Sequence, residues 1–171
     1  QQAAELATRI PENLITAQEY TNIAHAMLNQ MWMDRAIEFY ETAVKKATDF
    51  NTENSALRSL SMALFQSDKP DKGRRTFQKA MIATEEYKDI SFVAFANSVV
   101  LTRLAWANSE FYFANNRSEA LNQIKFLNEF INDLAEPGLS IIKNTHGDTI
   151  NKLDYQIKNN IKTPFGLYDQ T

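Results

Sequence analysis

The chain has 171 residues, 44% hydrophobic and 23% charged, with a net charge of −3 and no cysteine. That length supports one sizeable core, and the charge balance supplies no general field for nucleic acid or an anionic membrane. The missing thiols exclude disulfides and thiolate metal sites, while only four glycines and four prolines leave long uninterrupted elements, which favours helices.

At the start of the chain, Ala3, Leu6, Ala7 and Ile10 share one helical face before Pro11. Thr16 to Glu19 reads as a capping box, and Tyr20, Ile23, Ala24, Met27 and Met31 follow at helical spacing. A second helix is expected from Asp34 as N-cap, with Ile37, Tyr40, Ala43, Val44 and Ala47 on one face. The polar stretch Asn51 to Asn54 reads as a loop. Ala56, Leu57, Leu60, Ala63 and Leu64 then make a helix that ends at Ser67–Gly73, and Pro70 suits the first turn of the next helix, which carries Phe77, Ala80, Met81 and Thr84. Asp89 is the expected cap of a long helix over about 90–114. After a turn at Asn115–Ser118 come Ala120, Ile124, Leu127 and Ile131. Breakers in "EPGLS" and "NTHGD" predict that the last helix, with Ile150, Leu153, Ile157 and Ile161, spans only 148–161, followed by a tail at 162–171. No strand is expected.

Three windows repeat one pattern. A first helix carries Tyr20/Ile23/Ala24/Met27, then Leu57/Leu60/Ser61/Leu64, then Leu104/Ala107/Asn108/Phe111. Each second helix opens with a small residue (Ala36, Gly73, Ala120) and follows it by a large one (Tyr40, Phe77, Ile124). Antiparallel helices approach closely only where one side is small, and the large residue fills the neighbouring groove. This pattern resembles the tetratricopeptide repeat over roughly residues 17–131, although the small residues lie 37 and 47 positions apart rather than at a fixed period, and the usual Trp, Gly and Pro are absent. The resemblance implies an all-α chain of helix pairs stacked in a right-handed superhelix, a short α-solenoid with an extra C-terminal helix. The units fall at approximately 17–50, 54–88 and 90–133 of one domain over 1–171, and residues 1–10 are read as the closing helix of an earlier unit.

Enzyme signals are sparse. His25 and His146 stand apart from any metal-ligand spacing, and there is no phosphate-cradling glycine loop or nucleophile elbow. Asp34, Glu38 and Glu41 share a helix face, which reads as solvated carboxylates. Lys69, Lys72, Arg74, Arg75 and Lys79 form a local basic patch suited to an acidic partner. Asp68 and Asp71 dilute it, and no aromatic platform accompanies it, so nucleic acid is not expected. Asn116–Ser118 is a formal glycosylation acceptor.

No catalytic group, cofactor or metal is expected. The resemblance implies a scaffold that binds a peptide or protein segment in a groove lined by the first helices. The residues it points to are His25, Leu28, Arg58, Met62, Phe65, Trp106, Ser109 and Tyr112. The Lys, Asn and Arg clamp of chaperone-binding members is missing. The rival readings are a structural subunit of a larger envelope assembly and, more remotely, an enzyme or small-ligand sensor. No apolar run is long enough to span a membrane. The absence of cysteine and of an initiator Met leans toward an exported protein of the periplasm or envelope rather than a cytoplasmic one.

Overall fold

The computed structural model describes residues 15–163. The expected helix at 1–10 and most of the expected tail lie outside those residues. Seven helices and no strand occur among the described residues: α1 (Ala17–Asn29), α2 (Met33–Lys46), α3 (Phe50–Gln66), α4 (Pro70–Glu86), α5 (Phe92–Tyr112), α6 (Arg117–Asn132) and α7 (Gly138–Lys158). Where the sequence reads as one domain, packing divides the structure into two compact units, the first ending at Glu86 and the second beginning at Tyr87.

Local chemistry sets the helix starts. Thr16 and Glu19 form the expected capping box, with the Thr16 N–H donating to Glu19 Oε2 at 2.7 Å and the Glu19 N–H donating to Thr16 Oγ1 at 3.3 Å. Asp34 is not a cap. It lies in the first turn of α2, and its carboxylate accepts from Lys69 at 3.0 Å. The stretch Asn51–Asn54 is helical, not a loop. Asp49 caps α3 by accepting from the Thr52 N–H at 3.0 Å, Phe50 is buried, and Asn54 has partners inside the unit. Ser91, not Asp89, caps α5, accepting from the Ala94 N–H at 3.4 Å. The expected break at "NTHGD" does not occur, since α7 runs unbroken from Gly138 to Lys158. Ile142 and Ile150 are buried on either side of Gly147, and that burial outweighs the cost of about 1 kcal/mol for one helical glycine.

In the first unit α1 packs on α2 and α3, α2 on α3, and α3 on α4. In the second, α5 packs on α6 and α7, and α6 on α7. So α7 stands to the pair α5/α6 as α3 stands to α1/α2. The small-then-large pattern is buried throughout: Ala36, Tyr40 and Ala43, then Gly73, Phe77 and Ala80, then Ala120, Ile124 and Leu127.

The turns repeat as well. Met31 (φ 62), Asp68 (φ 57) and Asn115 (φ 53) are left-handed, and each precedes its small residue by the same five positions. The first two turns are Schellman motifs. The Met31 and Trp32 N–H groups donate to the Leu28 and Met27 carbonyls at 2.9 and 3.0 Å, and those of Asp68 and Lys69 donate to Phe65 and Leu64 at 3.2 and 2.9 Å. After α5 the turn is wider, with the Asn116 N–H reaching back to the Glu110 carbonyl at 2.8 Å. Asn160 (φ 53) ends α7 in the tighter form, with the Ile161 N–H on the Gln156 carbonyl at 2.8 Å.

Candidate interaction surface

The first helices of the two pairs in the first unit present matching outward rows. On α1 the row is Gln18, Asn22, His25 and Asn29, all exposed. On α3 it is Ser55, Ser59, Met62 and Gln66, all half-buried. Each α3 residue stands 37 positions after its α1 counterpart, the same offset that separates the two turns. Because α1 and α3 touch, the rows flank one another on one side of the unit. They carry amides, hydroxyls, an imidazole and a thioether but no formal charge. Gln18 Nε2 donates to Asn22 Oδ1 at 3.0 Å. Gln66 Nε2 is buried with no hydrogen-bond partner, an orphaned donor at the end of the α3 row.

The expected groove residues separate into several environments. His25 lies in the outward row, its Nδ1 donating to the Thr21 carbonyl at 2.9 Å and its ring edge-on to Tyr40 at 5.4 Å. Met62 is in the α3 row. Leu28 packs against the core made by Ala24, Met27, Ala36, Tyr40, Leu60 and Leu64. Arg58 turns toward Asn54 and donates to its Oδ1. Asn54 is wholly buried and donates to the Ala80 carbonyl at 3.0 Å and to Thr84 Oγ1 at 2.6 Å, so this group ties α3 to α4.

Phe65 is a core residue, 3% exposed. Its ring lies 6.0 Å from that of Phe77, under the Arg74 guanidinium and against Gly73, where an added Cβ would overlap it. Trp106 and Ser109, of the second unit, are buried as well. Trp106 Nε1 donates to the buried Glu110 at 3.1 Å, and the Arg103 guanidinium sits 5.9 Å from the Trp106 ring and 5.1 Å from Phe126. Ser109 Oγ has no partner. Tyr112 is half-buried, with its ring against Phe111 at 5.0 Å and its hydroxyl 3.3 Å from Thr163 Oγ1. The structure therefore brings His25 and Met62 onto one face and removes Phe65, Trp106 and Ser109 from any surface.

Sequence reasoning missed Asn22, Asn29, Ser59 and Gln66. The signal was available. Counting helical turns from the buried Ala24 and Ser61 places those four opposite the core, whereas the carried-over register put Leu28 and Phe65 there, both of which face neighbours. No group of three or more His, Asp or Glu residues suited to a metal ion occurs among the described residues. None of the described helices is long and apolar enough to cross a membrane. No family model, curated protein or solved structure matches the chain.

Proposed function

We propose that the chain is a non-catalytic interaction module of the tetratricopeptide-like kind, which binds an extended polypeptide segment across the outward rows of α1 and α3. The carrying observation is the repeat of an uncharged, hydrogen-bonding row at the 37-residue offset. Side-chain amides and hydroxyls donate to and accept from a peptide main chain without the desolvation penalty of a charge. Met62 supplies apolar contact between them.

Peptides selected from a random display library on the intact protein test this reading. Binding should fall about tenfold or more in Ser59→Arg, which places a bulky charge in the row, and stay unchanged in Glu41→Arg on the exposed face of α2. Full binding by a folded Ser59→Arg variant contradicts it.

A further inference from the structure

A second surface, independent of the α1/α3 rows, lies on α4. In the second pair α4 occupies the place of α2 in the first, with the same buried skeleton. Their charges run in opposite orders. The helix α2 has Asp34 in its first turn and Lys45 and Lys46 in its last, each at the end of the macrodipole that favours it. The helix α4 has Asp71 and Lys72 in its first turn and Arg74, Arg75 and Lys79 further in, and its last turn holds Glu85 and Glu86 and no cation. The acidic last turn works against the macrodipole, and the cations beyond the first turn gain nothing from it, so helix stability does not account for this order.

Two cations of the region have structural partners. Lys69 pairs with Asp34 at 3.0 Å, and Arg74 pairs with Asp71 at 2.8 Å while covering the Phe65 ring. Lys72, Arg75 and Lys79 remain. All three are exposed, they share one face at i, i+3 and i+7, and none of their charged side-chain groups has an ion-pair or hydrogen-bond partner among the described residues. Three residues beyond Lys79, Ile82 continues that face and is 64% exposed. The strip of cations is about 10 Å long and ends on an apolar side chain.

We propose that this face of α4 docks an acidic polypeptide segment with an apolar residue next to its carboxylates. The boundaries select a polypeptide over other polyanions. Asp68 and Asp71 close the strip at one end and Glu85 and Glu86 at the other, so a phosphate backbone or an anionic membrane plane would run onto carboxylates. No aromatic ring lies in the row for a base to stack on.

The probe is a short fluorescently labelled peptide of glutamates and aspartates with a leucine near one end, titrated into the intact protein. Wild type binds it, more weakly as salt rises. The triple variant Lys72→Glu/Arg75→Glu/Lys79→Glu loses about tenfold or more in affinity while its circular dichroism remains that of the folded helical protein. Ile82→Ser weakens the leucine-bearing peptide severalfold and leaves an all-acidic peptide unaffected. Lys45→Glu on α2 leaves both unchanged. No binding by wild type, equal binding by the triple variant, or tighter binding of a single-stranded oligonucleotide or of phosphatidylserine vesicles overturns the proposal.

Discussion

The two helix pairs of the first unit share a turn, a register and a buried pattern, yet they close differently. In α1–α2 the contact beside the turn is made by half-buried Leu28, and the small residue of α2 is Ala36. At the equivalent place in α3–α4 stands Phe65, fully packed, and the small residue of α4 is Gly73, whose missing side chain is the space the ring occupies. One methyl group on the second helix thus decides how large a residue the first helix can bring. The far end of the pair differs too, since buried Asn54 bonds across to α4 where α1 has only Ala17.

Substitutions at matched positions sharpen this contrast, and chemical denaturation measures them. The largest effect is expected at Phe65→Ala, a loss of roughly 3–5 kcal/mol because a buried ring leaves a cavity; Leu28→Ala should cost less than half of that. Asn54→Ala should cost about 1–3 kcal/mol by removing its buried hydrogen bonds to the Ala80 carbonyl, Thr84 and Arg58, whereas changing Ala17 to Ser should be nearly silent. Gly73→Ala is expected to destabilise by roughly 1–3 kcal/mol, because the Cβ meets Phe65 and lies 3.1 Å from the Ser61 carbonyl oxygen. In the background of Phe65→Leu the same change should become neutral or stabilising. At the turns the sign reverses. Met31 holds a left-handed conformation that its side chain disfavours, so Met31→Gly should stabilise by about 0.5–1 kcal/mol, and Asp68→Gly by less because Asp tolerates the conformation better.

The smallest expected effect is in the second unit. Half-buried His146 reaches from α7 to α5, its Nε2 2.6 Å from Asn97 Oδ1, and burial holds its pKa below the ordinary imidazole value. The neutral form is therefore favoured in the folded state. Its contribution is present above the ordinary pKa and is lost as pH falls through the folded value. A urea titration series should show a modest decline in stability on acidification that His146→Gln flattens.

Much of this architecture was legible because burial follows helical period. Ala36, Tyr40, Ala43 and their counterparts were readable as closely packed second-helix positions, and the Thr16–Glu19 box announced α1. What escaped notice depended on distant partners. Asn51–Asn54 looks like a loop until Thr84 and Ala80 are seen to satisfy Asn54. Gly147 looks like a stop until Ile142 and Ile150 are seen to hold α7 across it. The surface was harder. Phe65 and Trp106 are large and apolar, which fits an exposed hot spot or a core equally well, and only the pairing with Gly73 or Glu110 separates the two. The basic stretch after Ser67 showed its composition at once, but which cations were already engaged by Asp34 and Asp71 required coordinates.

The most direct test of the outward rows is backbone amide chemical-shift mapping of the intact protein titrated with its tightest display-selected peptide. The account predicts shifts concentrated on α1 and α3, around Asn22, Asn29, Ser59, Met62 and Gln66. Shifts confined to α2 or to α6, with those five residues unmoved at saturation, would contradict it.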